Sequence, residues 1–243
     1  TLDTMKLDEH FDFTYLSLGA GVQSSALLVL ACTDDRVPKP DVAIFSDTGD
    51  EPQYVMDYLQ ILKDYAEPFG INIVIAQKGV LSEDALGREK FVPIPLFTLH
   101  KDGSKGVLRR QCTREYKITP INKKVREILG YKPRYRVKHK VRAMLGISTD
   151  EMQRMKESWM KWTTNTYPLI DLGISRKDCY QIMEEVGLPK PKKSACVYCP
   201  YHDDKYWQWM KDEQPIEFDR AVKFDEAIRN KTMKGAESPA YVH

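Results

Sequence analysis

Two glycine-rich turns and five cysteines are the parts of this 243-residue sequence whose types and spacing can do chemistry. In "SLGAGVQSSALL" (17–28), Ser17, Gly19, Gly21, Gln23, Ser24 and Ser25 stand between two apolar runs. Glycine lets backbone approach a ligand closely and adopt positive φ. The unpaired amides at the start of a following helix then face outward with a favourable dipole, and serine hydroxyls add donors. That combination suits phosphate. No Gly-Lys-Ser/Thr follows, so the turn is not a P-loop, and the Gly-x-Gly-x-x-Gly spacing of a dinucleotide site is missing. A tight strand-to-helix turn without a ligand accounts for the residues as well.

A second turn, "FSDTGDEP" (45–52), repeats the arrangement and offers Asp47, Thr48, Gly49, Asp50 and Glu51. Acidic groups beside a phosphate loop can hold Mg²⁺ or ribose hydroxyls. Asp50 can equally cap the helix that follows, and the two roles are compatible.

The cysteines are Cys32, Cys112, Cys179, Cys196 and Cys199, an odd count that argues against a disulfide framework. Cys196-x-x-Cys199 fits one metal ion or one edge of a cluster. Cys112 lies among Arg109, Arg110, Arg114 and Lys117. Positive charge there favours thiolate, and the same groups can clamp a phosphate. Cys179 shares an apolar helical face with Ile182, Met183 and Val186, as a fourth ligand or as a buried inert thiol. His202 is the rival ligand, because Cys-x-x-Cys-x-x-His suits zinc. Four thiolates favour a 4Fe-4S cluster or structural zinc, and three leave one iron open. Cys32, among Leu28, Leu30 and Ala31, reads as core.

These groups need elements to position them. "FTYLSL" (13–18), "DVAIFS" (41–46), "INIVIA" (71–76) and "VRAMLGI" (141–147) read as buried strands. Helical spacing lies between them, as in Leu27, Leu28, Leu30 and Ala31, and again in Val55, Tyr58, Leu59 and Leu62. Alternating strands and helices predict an α/β fold, a parallel sheet flanked by helices with both turns at its carboxyl edge. Residues 78–119 form a long connection rich in glycine, proline and charge, which marks a functional or mobile segment.

"TDEMQRMKESWMKW" (149–162) has helical spacing. Ser148, Thr149 and Asp150 cap that helix or touch a ligand, with Arg154 in reach of a phosphate. "YKPRYRVKHKVRAM" (131–144) could present a cationic strand face to a nucleic-acid backbone, or form an edge strand blunted by lysines. In 174–191, Ser175 and Asp178 open a helix and Gly187 closes it. Residues 203–230 read as two helices split near Pro215. The expected division is a nucleotide-binding α/β domain (1–173) and a C-terminal helical, cysteine-bearing portion (174–243).

A net charge of +2, with 42% hydrophobic and 30% charged residues, is ordinary for a globular chain and names no partner. No apolar stretch approaches the roughly 18 residues of a membrane span. The N-terminus "TLDTMKLDEHFDFTY" is polar and acidic without a secretory signal, so a cytoplasmic protein with reduced thiols is expected.

Both turns and the segments "QCTREYKITPI" (111–121) and "SACVYCP" (194–200) resemble the PP-loop adenine nucleotide alpha-hydrolase superfamily, in particular its phosphoadenylyl-sulfate (PAPS) reductase and DndC-like branch. The resemblance covers most of residues 13–210. It implies a Rossmann-like, HUP-type fold that holds ATP or another adenine nucleotide, with Mg²⁺, at residues 17–25, and cleavage or attack at the α-phosphate or its sulfate. Asp47, Arg114 and Lys117 become the catalytic candidates, with Thr48 and Gly49 beside the nucleotide. Cys112, Cys179, Cys196 and Cys199 become the cluster ligands.

Two departures matter: Gln111 stands where cluster reductases pair a second cysteine, and no cysteine follows Cys199 to attack a sulfate. The leading expectation is therefore an ATP-dependent adenylating sulfurtransferase using an iron–sulfur cluster. Its partners would be a sulfur donor or reductant protein and an acceptor, with nucleic acid a candidate, and a homo-oligomer is compatible. The alternatives are a sulfonucleotide reductase and a non-catalytic nucleotide-binding module with structural zinc.

Overall fold

The structure, a computed structural model, describes residues 9–87, 93–100, 102–229 and 240–243. The start of the acidic N-terminal stretch and part of the 78–119 connection lie outside the described residues. In chain order the elements are β1 (Phe13–Leu18), α1 (Val22–Thr33), β2 (Val42–Asp47), α2 (Gln53–Ala66), β3 (Ile73–Gln77), α3 (Leu81–Gly87), β4 (Phe97–Leu99) and β5 (Lys105–Val107). There follow α4 (Thr119–Ile128), β6 (Val141–Leu145), β7 (Thr163–Thr166), α5 (Pro168–Asp171), α6 (Arg176–Glu185), α7 (Asp204–Glu213), α8 (Pro215–Arg229) and β8 (Ala240–Tyr241).

The chain divides into two compact units that interleave along the sequence. The first holds the described residues through Ser46, Tyr54–Ala76 and Ile121–Ser194; the second holds those of Asp47–Gln53, Gln77–Pro120 and Ala195–His243. α6 stays with the first unit because Cys179 and Met183 join the core beside Leu27 and Leu28 of α1.

In the first unit the sheet runs β3-β2-β1-β6-β7. β1 pairs in parallel with β2 (Tyr15 opposite Val42, Leu18 opposite Phe45) and with β6 (Phe13 opposite Val141, Ser17 opposite Leu145). Alternation along β1 supplies two cores. Leu16 and Leu18 meet Leu27, Leu28, Phe45, Leu59 and Leu62 on one face. Phe13 and Tyr15 meet Ile44, Val125, Val141 and Ala143 on the other. Strands covered on both faces run largely apolar, which is why β1, β2 and β6 were legible as strands. From β1 the chain steps outward to β2 and β3, then returns to β6 on the far side of β1. That reversal is the switch point of a doubly wound sheet, where such folds bind ligands.

Three expectations are corrected here. β6 lies inside the sheet, between β1 and β7, rather than at an edge. The basic residues 131–140 precede it as a loop. The helix expected over 149–162 is only a 3₁₀ turn, Thr149–Arg154, interrupted where Glu151 takes φ −123° and ψ 23°. β7, Thr-Thr-Asn-Thr, was not foreseen.

In the second unit β5, β4 and β8 form a small antiparallel sheet. Its core gathers Leu81, Leu96, Tyr116, Tyr198, Trp207, Met210 and Phe224. α7 and α8 are the anticipated pair split at Pro215, with Asp203 capping α7 through the Tyr206 amide at 2.8 Å. No helix among the described residues is long and apolar enough to cross a membrane.

Candidate functional site

At the switch point of the first unit the chain leaves β1 through Gly19, Ala20 and Gly21. Ala20 is buried at φ +52°, a left-handed conformation costing a non-glycine residue about 1 kcal/mol, so its surroundings hold it there. Ser24 Oγ braces the turn, accepting from the Gly19 amide at 3.1 Å and donating to the Gly21 carbonyl at 3.1 Å. Gly21 precedes α1 without a capping side chain, and the first turn of α1 holds no acid. Its leading amides are therefore left for an external acceptor. A Cβ on Gly21 would meet nothing within 4 Å, so the space beside it is open.

A Cβ on Gly146, just after β6, would come within 2.7 Å of the Ser24 backbone. The loop after β6 therefore touches the first turn of α1 backbone to backbone. Gln23 Nε2 donates to Glu151 at 3.0 Å, and Arg154 pairs with the same carboxylate oxygen. Asp150 accepts from the Arg176 amide at 2.5 Å and from Ser148 Oγ at 3.3 Å, so it serves α6 rather than a helix of its own. Ser175 and Asp178 form the expected capping box, and Gly187 takes φ +74° after the helix.

Ser17 is half-buried near the carboxyl end of β1. Ser25 is wholly buried, and its amide donates to Gly21 O at 3.0 Å inside the helix.

The second turn belongs to the second unit. Asp47 Oδ1 accepts from the Gly49 amide at 2.7 Å, and Gly49 takes φ +79°. A Cβ there would lie 2.9 Å from Val80 Cα, and the Leu81 amide donates to Thr48 O at 2.9 Å, so the turn is pinned against α3. The second Asp47 oxygen makes no hydrogen bond among the described residues.

Asp50 does not cap α2. Its carboxylate accepts from the Ser82 amide at 2.7 Å, the Ser82 hydroxyl at 2.8 Å and the Tyr198 hydroxyl. The Gln53 amide that opens α2 donates instead to Glu217 of α8 at 2.7 Å, a carboxylate missed in the sequence and paired also with Arg220 at 2.6 Å.

Glu51 is buried and accepts through Oε1 from Lys117 at 3.3 Å and Thr48 at 3.4 Å, while its Oε2 has no partner among the described residues. Thr48 Oγ1 also meets Cys196 Sγ at 3.1 Å. Burial and the Glu51 charge push the Cys196 thiol well up, against the pull of Lys117 and Thr48. Either the thiol or the Thr48 hydroxyl can donate across that contact, and the contacts link Cys196 through Thr48 to Glu51. Burial pulls Lys117 down, but Glu51, with Cys196 and Cys112 adding to it, holds the ammonium above its usual range. Lys117 rides on a π-helical turn, Thr113–Ile118, a distortion common at functional sites and invisible in a sequence. Its charge is matched by Glu51. Arg109, Arg110 and Arg114 stand exposed, Arg110 over the Tyr201 ring at 5.2 Å.

Cys112, Cys196 and Cys199 belong to the second unit and Cys179 to the first. Cys179 is wholly buried in that unit's core, its thiol pushed up to about 12 by burial with Asp178 and Asp150 adding to it. Of the two readings of Cys179, fourth ligand or buried inert thiol, this setting suits the second. Cys32 packs against the same core, pushed up to about 11 by burial. His202 is buried and stacked on Tyr206, with Nε2 3.0 Å from the Cys196 carbonyl oxygen rather than on a thiol. A cluster or zinc needs three or four convergent ligands. Among the described residues no three His, Cys, Asp or Glu side chains gather in that way, so their arrangement does not fit either group.

The sequence matches no family model and no curated protein. Among solved structures, it is similar to a phosphoadenylyl-sulfate (PAPS) reductase from Candida auris in a phosphate complex, at 14% identity, TM-score 0.49, covering 76% of this chain and 82% of that one. It is also similar to the U34-tRNA thiolase NcsA from Methanococcus maripaludis with its 4Fe-4S cluster, at 14% identity, TM-score 0.45, covering 90% of this chain and 72% of that one.

Proposed function

We propose that this chain is an enzyme that adenylates an acceptor with ATP, releasing pyrophosphate, before a sulfur nucleophile displaces AMP. The observation that carries the reading is the uncapped start of α1 at the switch point, with open space beside Gly21. An anion there finds backbone donors and the positive end of a helix dipole. The likeness of "SLGAGVQSSALL" and "FSDTGDEP" to PP-loop turns supports an adenine nucleotide over other phosphates.

In the first step an acceptor oxygen attacks the α-phosphorus and the bond to the bridging oxygen breaks, so pyrophosphate leaves. In the second, sulfur attacks the activated carbon and the carbon–oxygen bond breaks, so AMP leaves. Mg²⁺ would neutralise phosphate charge, with Asp47 the holder that the likeness of the second turn implies. The α1 amides would hold the phosphate oxygens, and Gln23 would be kept in place by Glu151.

The contacts from Cys196 through Thr48 to Glu51 support a sulfur step, because with the thiol as donor they lead its proton toward a carboxylate. No step is assigned to an iron–sulfur cluster, since the described thiols do not gather to hold one.

Calorimetry with ATP and Mg²⁺, followed by ATP–pyrophosphate exchange, tests the reading. Uptake by the native chain that is lost in Gly21→Val is expected. Absence of uptake for every adenine nucleotide tried overturns it. Metal and sulfide analysis after anaerobic purification separately shows whether the thiols regroup around iron.

A further inference from the structure

We propose that the basic loop 131–140 of the first unit is a docking platform for single-stranded nucleic acid. Between Glu127 and Asp150 the sequence holds no acidic residue, although the whole chain carries a net charge of only +2. Lys132, Arg134, Arg136 and Lys138 all point into solvent, and none makes a side-chain hydrogen bond or ion pair among the described residues. Lys140 differs, being paired with Glu9.

The loop is built rather than slack. Arg126 of α4 donates to the carbonyls of Lys132 and Tyr135, both at 2.8 Å. Tyr131 Oη accepts from the Lys138 amide at 2.9 Å and bonds His139 Nδ1 at 2.7 Å. Val137 is buried as an anchor. Arg134 is held at φ +69°, a conformation costly for a bulky residue and retained in an exposed loop. On this frame Tyr135 is 66% exposed, with cations on both sides of it in sequence.

Cations that track a backbone, together with an aromatic ring for a base to stack on, are the requirements of single-strand binding. Guanidinium groups match phosphate oxygens in pairs. A membrane-surface segment would need a broad apolar face, and here Val137 turns inward and leaves Tyr135 and Pro133 as the loop's exposed apolar side chains among the described residues. Duplexes hide the base faces that Tyr135 would use. The surface stands without the adenylation reading; joined to it, the surface makes the acceptor a nucleic acid.

Fluorescence anisotropy tests this with labelled single-stranded RNA and DNA, the corresponding duplexes and vesicles of anionic phospholipid. The variant combining Lys132→Ser, Arg134→Ser, Arg136→Ser and Lys138→Ser should bind single strands at least about tenfold more weakly. It should also flatten the log–log salt dependence by about 3, at roughly 0.7 per phosphate contact. Tyr135→Ala should weaken single-strand binding about fivefold or more and leave that slope unchanged. Unaltered uptake of ATP shows that the variants fold. Absence of oligonucleotide binding at low salt, binding that the variants do not weaken, or loss confined to the vesicles overturns the proposal. ATP uptake without oligonucleotide binding sinks this inference alone, and the reverse result sinks only the proposed function.

Discussion

A methyl group added at Gly146 would sit 2.7 Å from the Ser24 backbone, whereas one added at Gly21 meets nothing within 4 Å. The two substitutions should therefore separate folding from binding. Gly146→Ala forces the loop after β6 away from the first turn of α1 and should lower stability by about 1–3 kcal/mol in urea denaturation. Gly21→Ala should leave stability within about 0.5 kcal/mol. It should still weaken ATP binding about tenfold, because the methyl takes space that a phosphate needs; normal binding in a folded Gly21→Ala protein would remove the α1 amides from the site. In the second unit, Lys117→Met leaves the buried Glu51 carboxylate with Thr48 as its remaining donor. Losing one partner of a fully buried pair costs about 3–5 kcal/mol. The Lys117 side chain is 36% exposed, so solvent screening reduces the expected loss to about 1–3 kcal/mol. Adding Glu51→Gln to Lys117→Met should restore part of it in a double-mutant cycle.

At the scale of elements, α2 shows where local reading stops. Its sequence offers Asp50 as a cap, yet Asp50 is taken by Ser82 and Tyr198, and Glu217 supplies the acceptor. Glu217 lies 164 residues from Gln53, and a partner so distant leaves no local trace. Glu217→Ala should cost about 1–2 kcal/mol, seen as a lower melting temperature. Arg220→Ala should shift it less, because the Arg220 side chain is 41% exposed. The same contrast explains what the sequence made legible. β1, β2 and β6 announced themselves as largely apolar runs because both faces are covered, whereas β3, an edge strand with Ile75 exposed, did so through Ile73, Val74, Ile75 and Ala76. β7 carries Thr-Thr-Asn-Thr, which resembles a loop as much as a strand. The 149–162 segment has helical spacing, but Glu151 breaks the helical dihedrals, so spacing was not enough. Both turns were legible because they are local. The link from Cys196 through Thr48 to Glu51 spans 148 residues and was not.

Over the whole molecule, buried thiols tie stability to alkaline pH. Burial pushes Cys179 up to about 12 and Cys32 up to about 11, from an ordinary value of 9.0. For a group that becomes an anion, a raised folded-state pKa means that the folded chain holds its proton more tightly than the unfolded chain does. Neither thiol alters stability well below pH 9. As pH rises past 9 the unfolded thiols ionise while the folded ones do not, and stability falls until the folded values are reached. One fully buried thiol steepens that fall by up to about 1.4 kcal/mol per pH unit, and partly exposed Cys32 contributes less. Lys117 acts later in the same direction: its raised value keeps the Glu51 pair intact through the usual lysine range, and the pair's contribution is lost as pH rises beyond it. Urea midpoints measured under reducing conditions should therefore be level from pH 7 to 8 and then decline between about pH 9 and 11. Cys179→Ala, despite a cavity cost of about 1 kcal/mol at neutral pH, should flatten the decline. An unchanged slope in that variant would mean that Cys179 is not the protonated core thiol the first unit encloses.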